Sequence, residues 1–354
     1  MNPVSIVKLY YFPDSAIDCK PSGTGLINHT FLATVNEKKF VLQQINTLVF
    51  KNPQAIAQNI SLVAKFITEP HPEYSFKAPV TSLNGEQMIE AEDQTFWRLF
   101  PFVEDSHTID VVQTEEQAFE AAKQFGLFAK NLSGFPLEQL QTTISDFHNL
   151  NLRYQQFQSA IENGNQQRIR LSTNAINELH NRKHLVEQFN ERIKSGKWKQ
   201  RVMHHDTKIS NVLFNSYNKA ICVIDLDTIM PGYFFSDVGD MLRTYLSPVS
   251  EEETDFSKIT IRNSFFQAIV KGYASVMNNE LTLQEKKDLV LAGKLMMYMQ
   301  ALRFLTDFLN NDVYYGAKYE QHNYNRALNQ LELLNRVEEK EIEWSNWLVQ
   351  FFNL

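Results

Sequence analysis

Met203-His204-His205-Asp206-Thr207-Lys208-Ile209-Ser210-Asn211-Val212-Leu213-Phe214, followed after a short polar turn by Ile221-Cys222-Val223-Ile224-Asp225, is the stretch on which the fold turns. Its first part spells H-x-D-x-x-x-x-N ahead of an apolar run. Asn211–Phe214 and Ile221–Asp225 read as two short strands of a hairpin. One carboxylate therefore sits on a loop, an amide closes that loop, and a second carboxylate ends the second strand. In an extended strand Asp225 and Asp227 share a face. For any one of these residues, capping a turn is the ordinary role. The whole set in this order points to chemistry instead.

That order matches the catalytic loop and the metal-binding Asp of kinases. Phosphoryl transfer asks for positioning and charge neutralisation more than for covalent chemistry. Asp206 is placed to meet an acceptor hydroxyl. Asn211 and Asp225 supply the neutral and charged oxygens that hold magnesium against ATP phosphates, with Asp227 as a further metal ligand. Lys208, two residues after Asp206, can neutralise charge on the moving phosphoryl group. His204 reads as a hydrogen-bonded structural histidine and His205 as loop filling. Asp225-Leu226-Asp227-Thr228 also approximates the D-x-D-x-[T/V] of haloacid-dehalogenase-like phosphatases, but Thr228 is one position early.

Working outward, the first hundred residues read as strands. Ala16–Lys20, Phe31–Val35 and Phe40–Ile45 are extended runs, the last two joined by the polar turn Asn36–Lys39. Ser75–Leu83 and Gln87–Ala91 around Asn84-Gly85 predict a hairpin with a type I′ turn. Gln94–Phe102 is a further, aromatic-rich strand. One helix interrupts them: Pro53 suits a helix start, and Ile56, Ile60, Val63, Ala64 and Ile67 recur at helical period. Ser22-Gly23-Thr24-Gly25-Leu26-Ile27-Asn28 lies between two strands, and its glycines let backbone approach phosphate oxygens. Alone, that G-x-G is an ordinary turn; beside a kinase-type loop it reads as a phosphate cover. No G-x-x-x-x-G-K-[S/T] occurs, which argues against a Walker-type ATPase. After Phe102 the periodicity turns helical, over Glu115–Leu132, Leu152–Phe189, Ile259–Met277, Leu283–Leu309 and His322–Arg336. The expected organisation is an α+β, two-lobed fold: a sheet-rich lobe over 1–103 and a larger helical lobe over 104–354.

With 34 Lys plus Arg against 41 Asp plus Glu the net charge is −7, which argues against broad nucleic-acid binding. Two cysteines, Cys19 and Cys222, exclude a disulfide framework and a Cys-rich zinc site. The most apolar long window, Leu289–Leu309, carries Lys294, Arg303 and Asp307, so no membrane span is expected. Lys8 interrupts the N-terminal apolar run, which makes a poor signal peptide. The expected location is the cytoplasm, and the expected partner a small molecule.

The chain resembles the aminoglycoside phosphotransferase and choline kinase superfamily, and within it the N-acetylhexosamine 1-kinases. The resemblance rests on Gly23–Phe31, Leu42–Asn46, His205–Leu213, Ile224–Gly232 and Leu302–Asp307. It implies a protein-kinase-like fold, ATP and magnesium as co-substrates, and transfer to the anomeric hydroxyl of an N-acetylated hexosamine. Gly23, Thr24, Gly25, Asn28 and Gln43 then fall at the nucleotide, and Arg303 and Tyr314 match positions that hold the sugar. The bland alternative for Arg303 is a pairing with Asp307 one turn on. One departure stands out: Gln43 occupies the strand position where kinases carry the phosphate lysine, and the helix from Pro53 to Ile67 has no Glu to pair with one. The competing readings are other acceptors (choline, homoserine, methylthioribose or an aminoglycoside) and a nucleotide-binding pseudokinase scaffold.

Overall fold

A computed structural model describes residues 2–10, 12, 15–22 and 27–354. The N-terminal part opens with helix α1 (Pro3–Val7) and strands β1 (Ile17–Pro21), β2 (His29–Val35) and β3 (Lys38–Ile45). Helix α2 (Pro53–Thr68), β4 (Ile89–Glu90) and β5 (Phe96–Pro101) follow. The strands form one antiparallel sheet in the order β1-β2-β3-β5-β4. Asn36 and Glu37 both have positive φ (46° and 72°), the geometry that lets a two-residue turn follow strand twist. Asn52 caps α2 by accepting from the Ala55 N–H, Pro53 takes the first turn, and Ile56, Ile60, Val63 and Ile67 are buried.

The predicted hairpin over 75–91 is not formed. Only Ile89–Glu90 is strand, and it pairs with β5. Gly85 has φ 84°, but Asn84 lacks the positive φ that a type I′ turn needs. Pro79 has no N–H to give a ladder, so Ser75–Leu83 runs beside the sheet irregularly, with the Val80 N–H donating to Leu99 O at 2.6 Å.

The rest is mainly helical: α3 (Glu115–Asn131), α4 (Leu150–Asn163), α5 (Gln166–Leu171), α6 (Thr173–Asn181), α7 (His184–Lys194), α8 (Phe234–Tyr245), α9 (Asn263–Met277), α10 (Leu283–Lys287), α11 (Leu289–Leu309) and α12 (His322–Phe352). Short strands β6 (Ser106–His107), β8 (Val212–Asn215) and β9 (Ala220–Val223) form one small antiparallel sheet. Strands β7 (Gln200–Met203) and β10 (Met230–Tyr233) form another. The long segment predicted from Leu152 to Phe189 breaks into pieces: Gly164 ends α4, and Asn165 caps α5 by accepting from the Gln167 and Arg168 N–H groups. A thorough apolar core follows α11, which packs against α8 and α12. No helix among the described residues is long and apolar enough to cross a membrane. The architecture is thus the expected two-lobed, kinase-like one.

Candidate active site

The loop from His204 to Asn211 joins β7 to β8 and is held from beneath by α8. The buried Asp237 carboxylate accepts from the His204 and His205 N–H groups at 3.1 and 2.8 Å. Asp240 accepts from the Thr207 N–H at 2.9 Å, and the Tyr245 hydroxyl donates to Thr207 O at 2.6 Å. His204 is fully buried. Its Nε2 meets Ile224 O at 2.9 Å while its Nδ1 accepts from the Asp206 N–H at 3.3 Å, so the proton belongs on Nε2. This scaffold holds His205 at φ 69°, a left-handed conformation uncommon for a side-chain-bearing residue.

Asp206 projects from that loop, partly exposed. Asn211 Nδ2 donates to Asp206 O and Oδ2 at 2.9 and 3.1 Å, and Lys208 Nζ lies 3.2 Å from Oδ2. The negative charge of Asp206 pushes the Lys208 ammonium well above its ordinary range, with Asp240 and Asp225 adding to it. Because the Asn211 nitrogen is engaged, its carbonyl oxygen is the atom left for a hard cation.

Asp225 is not the end of a strand. β9 stops at Val223, Asp225 turns left-handed at φ 60°, and Leu226–Thr228 is a turn of 3-10 helix. Asp225 and Asp227 therefore do not share an extended face. Asp225 reaches solvent, yet protein crowds it. Desolvation first, then the charges of Asp227 and Asp206, raise its carboxyl to about 7. The Asp206 and Asp225 carboxylates, beside the free Asn211 amide oxygen, are the kind of oxygen donors that suit a divalent cation.

Asp227 is buried and engaged elsewhere: it pairs with Arg98 of β5 and accepts from Asn28 Nδ2 at 2.7 Å. Gln43 accepts from Arg98 Nε and Nη2 at 3.0 and 2.8 Å and donates to Thr30 Oγ1 at 3.3 Å. Gly23, Thr24 and Gly25 lie outside the described residues. Arg98 was not singled out from the sequence. The signal was there: a lone charge inside Phe96-Trp97-Arg98-Leu99-Phe100 is expensive to bury without a partner.

Elsewhere in the helical lobe, Arg303 and Tyr314 come together. The Arg303 guanidinium carbon lies 5.9, 5.5 and 5.6 Å from the rings of Tyr314, Tyr315 and Phe147. Its hydrogen bond goes to Gln300 Oε1 at 2.9 Å, and among the described residues it forms no ion pair. Asp307 is not its partner. That carboxylate accepts from the Tyr314 and Tyr315 N–H groups at 2.7 and 2.9 Å and from Asn323. Phe147 stacks on His148, and His148 Nδ1 lies 3.3 Å from His205 Nδ1, which leads back to Asp206.

The two histidines predict a pH effect. His205 Nε2 meets Met230 O at 3.2 Å, so its Nδ1 is the acceptor and His148 donates. Burial, ahead of all other causes, lowers His205 to about 4 and His148 well below its ordinary value. A histidine lowered from about 6.5 stabilises the fold above that pH and loses the contribution as pH falls toward about 4, roughly 3 kcal/mol for His205. Asp237, raised by burial to about 6, and Asp225 act in the opposite sense, since protonating them relieves the folded state. The effect is therefore read as a difference. Relative to His205→Gln, the wild type is expected to lose stability steadily from pH 7 to pH 4 in denaturant titrations. Parallel curves would assign the acid response elsewhere.

The sequence profile of the phosphotransferase enzyme family matches residues 18–262. The structure is similar to an aminoglycoside phosphotransferase from Alicyclobacillus acidocaldarius (TM-score 0.66, 14% identity, 100% of this chain and 97% of that one). It is also similar to a microcompartment-associated aminopropanol kinase (TM-score 0.63, 15% identity, 97% and 98% covered). A third likeness is to a spectinomycin phosphotransferase in complex with ADP and spectinomycin (TM-score 0.61, 12% identity, 95% and 97% covered). At these identities the likeness establishes the fold.

Proposed function

The chain belongs to the phosphotransferase enzyme family, of the aminoglycoside phosphotransferase and choline kinase type, and from that premise we propose that it moves the γ-phosphate of ATP to the anomeric hydroxyl of an N-acetylhexosamine. Use of ATP is supported by the ADP complex of the spectinomycin enzyme. Asp206 is the base for the acceptor hydroxyl, its partly exposed carboxylate bonded by Asn211 and flanked by Lys208. Lys208 meets the transferring phosphoryl group. Asn211 and Asp225 would hold magnesium, which neutralises phosphate charge when bound. Asp227 does not join them in this reading, because both its oxygens have partners.

The observation that carries the acceptor is the unpaired Arg303 among aromatic rings. Burial first, and then the nearby Arg303 charge, lowers Arg153, which bonds neutral oxygens, the Gln156 amide and the backbone carbonyls of Asp146 and Phe147. A cationic acceptor such as choline or an aminoglycoside would meet repulsion there. A neutral sugar rich in oxygen acceptors would be held by the guanidinium fork and by ring faces. The test is ADP release with magnesium and a panel of N-acetylglucosamine, N-acetylgalactosamine, choline, homoserine, methylthioribose and an aminoglycoside. Turnover confined to a cationic member would overturn the reading.

Arg303→Ala is expected to raise the KM for the sugar by about 10²-fold, the scale on which a lost positioning contact acts. The KM for ATP and the melting temperature should change little, because Arg303 carries no buried ion pair. A large loss of stability with an unchanged sugar KM would remove Arg303 from the acceptor site.

A further inference from the structure

In kinases generally, a lysine on the third strand and a glutamate on the neighbouring helix form the ion pair that readies the phosphate site. Here that strand is β3 and the residue is Gln43. Helix α2 holds no Glu, and its buried polar residue, Asn59, donates to Gln141 O and Ile229 O at 2.7 and 2.8 Å. Nothing on α2 is free to balance a charge at position 43.

The charge sits one strand over. Gln43 and Arg98 are Cα partners in the β3–β5 register. The Gln43 amide oxygen accepts two guanidinium N–H bonds, and its nitrogen is anchored on Thr30 of β2, so three adjacent strands fix the plane of the Arg98 fork. The remaining guanidinium nitrogen pairs with Asp227, and the side chains are 0% and 2% exposed. The second Asp227 oxygen takes Asn28, whose own oxygen accepts from the Asn46 N–H at 3.0 Å at the end of β3. Asp227 belongs to the turn that begins with left-handed Asp225, yet these contacts come from the N-terminal sheet and its loops. Isolating two charges from water gains little stability over an apolar pair, so the geometry it imposes is its distinguishing effect.

We propose that the buried Arg98–Asp227 pair, oriented by Gln43 and Asn28, replaces the lysine–glutamate pair of other kinases, locking the N-terminal sheet onto the Asp225 turn in the arrangement that receives the nucleotide phosphates. Arg98 is a positioning residue: it is fully buried and acts through Asp227. The proposal rests on the kinase reading above.

The experiment moves the cation. Arg98→Gln, Gln43→Lys and the double variant Gln43→Lys/Arg98→Gln are compared with wild type by calorimetric titration with ADP and magnesium–ATP, by melting temperature, and by the KM for ATP against that for the acceptor. Arg98→Gln is expected to weaken magnesium–ATP binding roughly 10- to 100-fold, the range for one charged hydrogen-bonded contact, and to raise the KM for ATP but not for the acceptor. The double variant, with an ammonium on the neighbouring strand at the register position opposite residue 98, should recover most of that loss. If Arg98→Gln does not fold, Arg98→Gln/Asp227→Asn removes both charges together and should bind nucleotide as weakly. Wild-type affinity in a folded variant lacking the Arg98 charge would overturn the proposal, as would weak binding that the relocated lysine does not restore. A wild type that binds no nucleotide would overturn the kinase reading itself, a different and separable result.

Discussion

Asp206→Asn is expected to lower kcat by about 10²- to 10⁴-fold while nucleotide affinity persists, which is the usual worth of a positioned general base. The change keeps the size of the side chain and one oxygen for Asn211 and Lys208. It removes the charge that accepts the acceptor's proton. The loop itself should hold, because its backbone is fixed by Asp237, Asp240 and Tyr245 rather than by the Asp206 carboxylate. Turnover with the best acceptor, beside calorimetric titration with ADP, checks both halves. Near-normal kcat would mean that another group takes the proton.

The second large effect separates two carboxylates that stand two residues apart. Asp227→Ala strands the Arg98 guanidinium in a dry interior, and breaking a buried pair from one side costs about 3–5 kcal/mol. Asp225→Ala removes a carboxylate that already sits among like charges, so unfolding should shift little or toward greater stability. Its loss should appear instead in the magnesium dependence of ATP affinity. Denaturant midpoints and magnesium titrations of both variants give the comparison. A stable Asp227→Ala protein with abolished magnesium dependence would place the metal two residues further along.

Most of the elements could be read from the chain because their causes are local. Ile56, Ile60, Val63 and Ile67 recur at helical period behind an Asn-Pro start, and α2 forms there. Asn36-Glu37 turns and the flanking strands pair in register. The misreadings are instructive for the same reason. Asn84-Gly85 carries the local signal of a tight hairpin, but Pro79 withholds the N–H that the preceding strand would need. The strand to Asp225 looked continuous in apolar residues. The chain instead turns left-handed at Asp225, and the turn that follows is held by Thr228 on His204 O and by Asp227 on Arg98.

The sequence by itself determined the kinase-like loop, its order and the helical or extended character of most segments, since spacing and periodicity act over a few residues. Only the tertiary structure decided which partners the charges take. Arg98 pairs with Asp227, Asn28 reaches it across 199 positions, Arg303 is left without Asp307, and His148 meets His205. Such contacts have no local signature. A charge in an apolar strand announces that it needs a partner, but the partner is chosen by how two lobes pack, and that is settled by burial over the whole chain.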